Sequence, residues 1–166
     1  MSATPFRSTA AFATRARSTA PAVERATFVT FSLGGRRFAA PVETVERVLQ
    51  LPAEVHGGTH VSYSDIDVPL VNLAASLGLV SRLSDSSRVL ILNLPAGWLA
   101  TSVDEVHAVA VVDAAMISLA GRDNGSSAST RSGCDSLPPG VQGLFVLRDQ
   151  ETLVLDVGRA LGFRFT

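Results

Sequence analysis

The sequence contains no lysine and a single cysteine, Cys134. One cysteine excludes an internal disulfide and is typical of proteins from a reducing compartment, so we expect a cytoplasmic protein. The 14 basic residues, all of them arginine, nearly balance the 15 acidic residues and leave a net charge of −1. With so little net charge the protein has no general attraction for nucleic acid or for an anionic membrane surface, and we expect it to bind neither.

Long apolar segments and aromatic residues are also scarce. The sequence has no apolar run of about 18 residues, the length that would suit a membrane-spanning helix, so no segment is expected to insert into a membrane. Aromatic residues make up 6% of the chain, although 46% of its residues are hydrophobic. The core is therefore expected to be aliphatic, and its many β-branched valines favour packed sheets. A chain of 166 residues suits one domain, or two small lobes that share a core.

Sequence motifs for catalysis and cofactor binding are absent. There is no G-x-S-x-G elbow, no G-x-G-x-x-G fingerprint and no Walker sequence. His56 and His60 have the spacing of two metal ligands on a helix, but the two glycines between them oppose a helix. Asp104 and Asp156 each follow an apolar strand, where a carboxylate more often caps a turn or a helix than performs acid–base chemistry. The sequence therefore predicts no enzyme, no cofactor and no metal site.

Two segments have a composition that does not support a packed core. Residues 1–25 are rich in alanine, serine, threonine and arginine, with Glu24 as their one acidic residue. This composition is shared by organellar transit peptides and by disordered tails, and the lack of an apolar period favours a flexible tail. Residues 120–137 form a Ser/Gly-rich stretch that we expect to be a mobile loop. The folded domain is accordingly expected to cover residues 26–166.

The first folded residues predict a hairpin followed by a helix. Residues 27–33 alternate with period two, Gly34-Gly35 suits a two-residue turn, and residues 36–40 supply the returning strand. Pro41 is suited to the first position of a helix, so we expect about two helical turns over residues 42–49.

The remaining segments predict further short strands. Pro69 cannot donate a ladder hydrogen bond, so the strand over residues 67–71 is expected at a sheet edge or a bulge. Asn72 and Asp156 are predicted to cap short helices that end near Gly78 and Gly162. The other predicted strands cover residues 88–94, 98–103, 106–112, 116–119, 143–147 and 152–155. About eight closely spaced strands with three short helices favour small β-barrels over alternating βαβ units.

Four short motifs occur in a fixed order along the sequence. They are Phe31-Ser32-Leu33-Gly34 with Phe38-Ala39-Ala40-Pro41-Val42 and Val45-Glu46-Arg47-Val48; Asp67–Leu73 with Leu77-Gly78; Val103, Asp104, Val106 and Val109; and Gly143, Leu153, Leu155 and Asp156. No single motif is specific, but together they extend over residues 27–162, and their order resembles that of the CheW-like coupling proteins of bacterial chemotaxis. The sequence is identified as a divergent member of that family.

The resemblance implies a fold, a function and partners. The fold is all-β, with two intertwined five-stranded SH3-like β-barrels, short connecting helices and a C-terminal helix. The function is that of a non-enzymatic adaptor that couples chemoreceptors to a chemotaxis-type histidine kinase within membrane receptor arrays. One barrel edge is expected to contact the kinase regulatory domain, and the groove between the barrels is expected to take the helical cytoplasmic tip of a receptor.

The resemblance also nominates partner-binding residues, although valines spaced by three are equally typical of the buried face of a helix. The nominated residues are Val42, Val45, Glu46, Arg47, Val48, Ser64, Asp65, Val103 and Val106.

The sequence departs from the family in the loop before the middle strand. Where the family usually has N-L-R-G, near the receptor-contacting groove, this chain has Tyr63-Ser64-Asp65, so serine replaces the arginine and aspartate replaces the glycine. Two versions of the adaptor stay open: a coupler with altered partners, or one that keeps the kinase contact and has lost the receptor contact. The alternative is an interaction module of another motility or surface-sensing assembly.

Overall fold

The alternating segments of the sequence fold into short antiparallel strands. The computed structural model describes residues 22–52, 58–119 and 137–162. Within these ranges the helices are α1 Leu73–Ser76 and α2 Val157–Ala160, with 3-10 turns at Val42–Thr44 and Ala114–Met116. The strands in the same ranges are β1 Arg25–Leu33, β2 Arg36–Pro41, β3 Val45–Gln50, β4 His60–Tyr63, β5 Ile66–Val71, β6 Arg88–Leu94, β7 Gly97–Val103, β8 Glu105–Asp113, β9 Ser118–Leu119, β10 Val141–Leu147 and β11 Gln150–Leu155.

The strands form two sheets, and the chain passes from the first sheet to the second and back. The first sheet has the order β8-β1-β2-β11-β10-β9, and the second has the order β3-β6-β7-β5-β4. Most neighbours are antiparallel, but β2 with β11 and β5 with β7 pair in parallel. The second sheet is assembled from one continuous stretch, β3 to β7, whereas the first sheet takes β1 and β2 from before this stretch and β8 to β11 from after it.

Each sheet curls around its own small core, so that strands far apart in the sheet order meet. In the first sheet the rings of Phe28 on β1 and Phe145 on β10 stack with centroids 5.7 Å apart, and Ala110 of β8 joins the same cluster. In the second sheet Leu49 of the edge strand β3 packs against the cluster that contains Val61 of the other edge strand, β4. The prediction of an all-β fold with two barrels is confirmed; the first barrel has a sixth strand, the two-residue β9.

A third core, which we call the inter-barrel core, joins the two barrels. It takes residues from both sheets and from both helices, and two aromatic rings, Phe31 and Phe38, stack within it at 6.0 Å. Its buried members are Phe31, Leu33, Phe38, Ala40, Leu73, Ala74, Leu77, Leu90, Leu92, Leu94, Val103, Leu155, Val157 and Ala160. The two barrels therefore share one hydrophobic interior rather than touching at a surface.

Both predicted helix caps are present. The side-chain Oδ1 of Asn72 accepts a hydrogen bond from the Ala75 amide at 3.0 Å, and Oδ1 of Asp156 accepts one from the Arg159 amide at 3.1 Å. Each helix is a single turn, too short to persist without tertiary contacts, so its apolar residues in the inter-barrel core stabilise it.

Asp104 stabilises the segments in which the chain passes between the two barrels. Its carboxylate accepts a hydrogen bond from the Gly34 amide at 2.8 Å and a second from the Ser81 hydroxyl, while its own amide donates to the Ser32 carbonyl at 3.0 Å. These contacts tie the β1–β2 turn and the segment after α1 to the β7–β8 junction. The interpretation of Asp104 as a turn-capping carboxylate agrees with this geometry.

The predicted helix over residues 42–49 is wrong. Only Val42–Thr44 form a 3-10 turn, and the chain then continues as β3. A bulge lies between Val45 and Arg47, where Glu46 is the extra residue. Because a bulge adds one residue to the strand period of two, Val45 and Val48 face the same side although they are three residues apart. The bulge therefore gives Val45 and Val48 the spacing that is expected of one face of a helix.

The region before Asn72 also differs from its prediction. Residues 60–63, for which no strand was predicted, form strand β4. The strand with Pro69 is not at an edge, because β5 pairs with β4 through residues 66–69 and with β7 through Leu70 and Val71. The two neighbours use different parts of β5, which is how an internal strand accommodates a proline.

Several predictions concern residues outside the described ranges. They are the tail up to residue 21, the part of the loop over residues 120–136, and the side chains of His56 and Cys134. Arg25, assigned to the tail, is the first residue of β1. In the described part of the chain no helix is long and apolar enough to cross a membrane.

Candidate partner-binding surface

The nominated valines near Pro41 lie on an edge of the second barrel. β3 is the terminal strand of its sheet and pairs with β6, so that Val45 lies opposite Leu92 and Val48 opposite Leu90. Side chains of directly opposed residues share a face, and both leucines belong to the inter-barrel core. Val45 packs against this core, whereas Val48 is 38% exposed. Val48 is therefore the valine of this pair that is more available to a partner.

Val42 faces a different part of the surface. It is 38% exposed and lines a cleft of about 540 Å³ at one end of the first barrel, together with Glu43, Phe28 and Leu119. The helix predicted over residues 42–49 would have placed Val42, Val45 and Val48 on one face, but in the structure Val42 lies apart from the other two. The 3-10 turn directs Val42 toward the first barrel, and the bulged strand directs the other two toward the inter-barrel core.

Charged side chains accompany the exposed edge of β3. Glu46 and Arg47 are both exposed, and neither takes part in an ion pair within the described ranges. Glu46 occupies the bulge, which turns an additional side chain outward at an edge that would otherwise offer regular backbone pairing. The edge therefore combines one apolar side chain, Val48, with one acid and one base.

Of the two nominated residues in the β7–β8 segment, Val103 is buried and Val106 is half-buried. Val103 has no exposed surface and belongs to the inter-barrel core. Its side chain therefore cannot contact a partner, and we assign Val103 to the core instead. Val106 is half-buried and packs against the same core from β8. Like β3, β8 is the terminal strand of its sheet. Two edge strands, one from each barrel, thus flank the inter-barrel core.

Two exposed valines of β8 were missing from the nominated set. Val109 and Val111 are each 61% exposed on the outer face of the first barrel. The sequence signal was present, because Val109, Val111 and the alanine between them alternate with period two. What the sequence could not supply was the sheet order, which makes β8 an edge strand rather than an internal one.

Ser64 and Asp65 form the two-residue turn between β4 and β5. Both have positive φ, 51° and 60°, and the flanking Tyr63 and Ile66 oppose each other in the hairpin. This backbone is that of a type I′ turn, which favours glycine, asparagine or aspartate. The exposed side chains beside the turn are those of Ser64, Asp65 and Ile66, the last of which is 52% exposed.

The Ser64–Asp65 turn lies at the same end of the second barrel as Val45. The Tyr63 ring lies 5.3 Å from the Trp98 ring, and Trp98 opposes Asn93 on β6. The residue next to Asn93 is Leu92, the partner of Val45 across the sheet. The structure therefore brings the turn and the start of β3 to one end of the barrel, separated by the width of β6 and β7.

A cleft between the barrels opens beside this end. It has a volume of about 300 Å³, and its walls come from the second barrel through Asn93 and Pro95 and from the first through Pro41, Gln142 and Leu155. Its lining mixes apolar and amide groups without a cluster of charge. Such a lining suits protein side chains better than a charged small molecule.

The histidines do not form a metal site within the described residues. No group of three or more histidine, cysteine, aspartate or glutamate side chains is arranged to hold a metal ion there. Nδ1 of His60 contacts the Thr59 hydroxyl at 2.8 Å, and Nε2 of His107 contacts the Ser32 hydroxyl at 2.5 Å. Each ring therefore has a local hydrogen-bond partner of its own.

Comparisons with known proteins agree with this architecture. Residues 27–137 match the family model of the CheW-like domain. No curated protein matches the sequence. Among solved structures, the chain is similar to the scaffolding protein TtCheW of Thermoanaerobacter tengcongensis, with a TM-score of 0.59 and 18% sequence identity over 80% of this chain and 90% of that one. At this identity the likeness concerns the fold, two SH3-like barrels with an intertwined chain.

Proposed function

Because the chain belongs to the CheW-like domain family, we propose that it is a non-enzymatic scaffold that couples chemoreceptors to a chemotaxis-type histidine kinase. The observation that carries this proposal is the edge of β3, where an exposed valine lies between the inter-barrel core and a pair of exposed charges. An edge strand with an apolar side chain and flanking charges fits a specific protein contact of modest size. The proposed location is the cytoplasm, at receptor arrays.

The proposed kinase contact is made by the edge of β3. A kinase regulatory domain with an exposed barrel edge of its own can lie against this edge, with Val48 as the apolar anchor. Glu46 and Arg47 supply one charge of each sign, which fixes the orientation of a partner more than it adds affinity.

The proposed receptor contact is altered. Ser64 and Asp65 stand where the resemblance implies an arginine and a glycine, so the turn loses one positive charge and gains one negative charge. A receptor tip that binds a basic turn through opposite charge meets an acidic turn here. The attraction between opposite charges is then replaced by repulsion between like charges. We therefore favour the version in which the kinase contact is kept and the usual receptor contact is weakened.

The test of the kinase contact is a binding titration of the full chain against the purified kinase regulatory domain. The Val48→Arg substitution places a charge at the proposed anchor and is expected to weaken binding by at least about tenfold, the effect typical of a central interface residue. Val80→Arg is the matched control, because Val80 is 81% exposed in the segment after α1 and should tolerate arginine. Equal affinities for Val48→Arg and wild type would refute the β3 contact.

The receptor contact is tested by restoring the family residues. In a pull-down and titration with a receptor cytoplasmic fragment, the Ser64→Arg/Asp65→Gly double variant should bind about tenfold more tightly than wild type, while its affinity for the kinase domain stays unchanged. Glycine suits position 65, where φ is 60°. Tight binding of the wild-type protein, with no gain in the double variant, would show that the turn does not set receptor affinity.

A second candidate function follows from the same turn. Its departure from the family favours an interaction module of another motility or surface-sensing assembly, with different partners. Binding of wild type to neither the kinase domain nor the receptor fragment would support this alternative over the chemotaxis adaptor.

A further inference from the structure

Strand β8 is an unusually unprotected sheet edge. Exposed edge strands are ordinarily short, charged or bulged, because their free backbone groups invite pairing with another chain. Three of the four terminal strands in the described ranges follow this rule: β9 has two residues, β4 has four, and β3 carries Glu46 and Arg47 at its bulge. β8 has nine residues and a bulge at His107, but the five residues that follow the bulge, Ala108–Val112, pair regularly with β1 and contain no charge and no proline.

The backbone amides and carbonyls of β8 point alternately toward β1 and toward the free edge. The Ala114 amide donates to the Glu24 carbonyl at 2.8 Å, and the amide and carbonyl of Ala108 both bond to the Thr30 hydroxyl, so the even-numbered residues face β1. In an antiparallel pair the backbone groups alternate between the two sides of a strand. The amides and carbonyls of Val109, Val111 and Asp113 therefore face away from β1, along the free edge.

The side chains at this edge are apolar as well. Val109 and Val111 are each 61% exposed, and Met116 and Val146 next to them are 68% and 64% exposed. Val111, Met116 and Val146 line a cleft of about 400 Å³ that separates the end of β8 from β10. Within the described ranges no strand pairs with β8 on this side, so the first barrel is open there along this seam, and exposed apolar side chains from β8, β10 and the 3-10 turn surround one cleft.

We propose that the occupant of this edge is β8 of a second copy of the chain, paired antiparallel about Ala110. In this register Val109 opposes Val111 of the second copy, and outward-facing backbone groups oppose each other, as an antiparallel ladder requires. The bulge at His107 and the Asp113–Arg25 ion pair lie just outside this ladder at each end, so the paired segment is the regular, uncharged Ala108–Val112. The pattern of β8 is therefore complementary to itself.

The neighbouring registers are less favourable. Pairing centred on Val109 would place the bulged His107 of each copy against Val111 of the other, where the regular ladder is interrupted. Pairing centred on Val111 would oppose Asp113 to Val109, which places a carboxylate on an apolar side chain. Regular backbone pairing and apolar matching thus select the register centred on Ala110, which uses the whole of Ala108–Val112, and the symmetry of the contact closes it at two copies.

The test is sedimentation velocity of the full-length protein over a concentration series. Because one strand pair buries less than a standard interface, the dimer should be weak, and a series from about 10 µM to about 1 mM covers the expected dissociation constant. Wild type should shift from monomer to dimer across the series. A species that stays monomeric throughout would overturn the proposal, as would assembly beyond two copies.

Val111→Pro is the decisive variant. Its missing amide lies on the free edge, so the β1–β8 ladder is kept while one hydrogen bond of the proposed contact is lost in each copy. The dissociation constant should rise at least about tenfold. Val109→Arg should have a similar effect, and Val80→Arg, at an exposed valine outside β8, should have none. Thermal unfolding by circular dichroism verifies that each variant is folded.

Amide hydrogen exchange supplies a readout that a general loss of solubility would not change. At high concentration the amides of Val109 and Val111 should exchange more slowly in wild type, and the amide of the exposed Val146 on β10 should not change. Dimerisation of Val111→Pro at wild-type strength, or protection at Val146 instead of Val109 and Val111, would assign the contact to another surface.

Discussion

At the scale of single residues, Gly34 shows how a turn residue also determines packing. Its φ is +58°, and a Cβ atom built on it would lie 2.7 Å from Cβ of Leu79, which packs against the inter-barrel core. Gly35, the other residue of the same turn, has φ of +80° with no atom within 4 Å of its Cβ position. Glycine is therefore required at both positions by the backbone, but only at Gly34 by a neighbour as well.

This pair of glycines provides a matched experiment. Gly35→Ala should reduce the free energy of unfolding by about 1 kcal/mol, the usual cost of placing a side chain in the left-handed region. Gly34→Ala should cost at least about 1 kcal/mol more, because the new methyl group displaces Leu79 from the core. Urea denaturation of the two variants measures the difference. Equal midpoints would mean that the turn moves away from Leu79 without cost.

At the scale of elements, the sequence predicted the structure wherever local chemistry decides it. The Gly34-Gly35 hairpin, the β6–β7 hairpin and the caps at Asn72 and Asp156 depend on turn residues and short-range hydrogen bonds, and all are present. Each of these features needs only residues that are close in the sequence. Local patterns therefore carry the hairpins and the helix starts of this fold.

The incorrect elements are those that depend on residues far away in the sequence. β3 exists because β6 pairs with it, and the bulge at Glu46 that aligns Val45 with Val48 produces the same spacing as a helix. β4, for which no strand was predicted, is formed by its pairing with β5, and the strand predicted over residues 116–119 is shortened to the two residues of β9 that pair with β10. A single sequence cannot distinguish a bulged strand from a helical turn when the partner strand is unknown.

The candidate site shows the same dependence on sheet order. Val103 is buried because its face of β7 lies on the inter-barrel core, whereas Val109 and Val111 are exposed because the opposite face of β8 lies in the interior of the first barrel. The alternation can be read from the sequence, but which face is buried cannot. Similarly, the resemblance identified Ser64 and Asp65, but only the structure shows their positive φ values and their position at the same end of the second barrel as the start of β3, through the β4–β5 hairpin and the Tyr63–Trp98 contact.

At the scale of the whole molecule, the two barrels have separate interiors but share a third core. The chain enters the second barrel at β3 and leaves it at β7, so each barrel depends on the crossing segments held by Asp104. The inter-barrel core contains more buried residues than either barrel interior, and both helices belong to it. Opening either barrel exposes part of this shared core, so the two barrels should unfold as one cooperative unit.

The arrangement of aromatic residues permits a direct test of this cooperativity. Trp98, the chain's one tryptophan, lies in the second barrel beside Tyr63, whereas Phe145 lies in the interior of the first. The Phe145→Leu substitution removes part of a buried ring at a distance from Trp98 and should destabilise the protein by about 1 to 2 kcal/mol. If the barrels are coupled, the urea midpoint followed by Trp98 fluorescence falls by the same amount as the midpoint followed by far-ultraviolet circular dichroism. An unchanged fluorescence midpoint, with circular dichroism divided into two transitions, would show instead that the barrels unfold independently and that the inter-barrel core contributes little to their coupling.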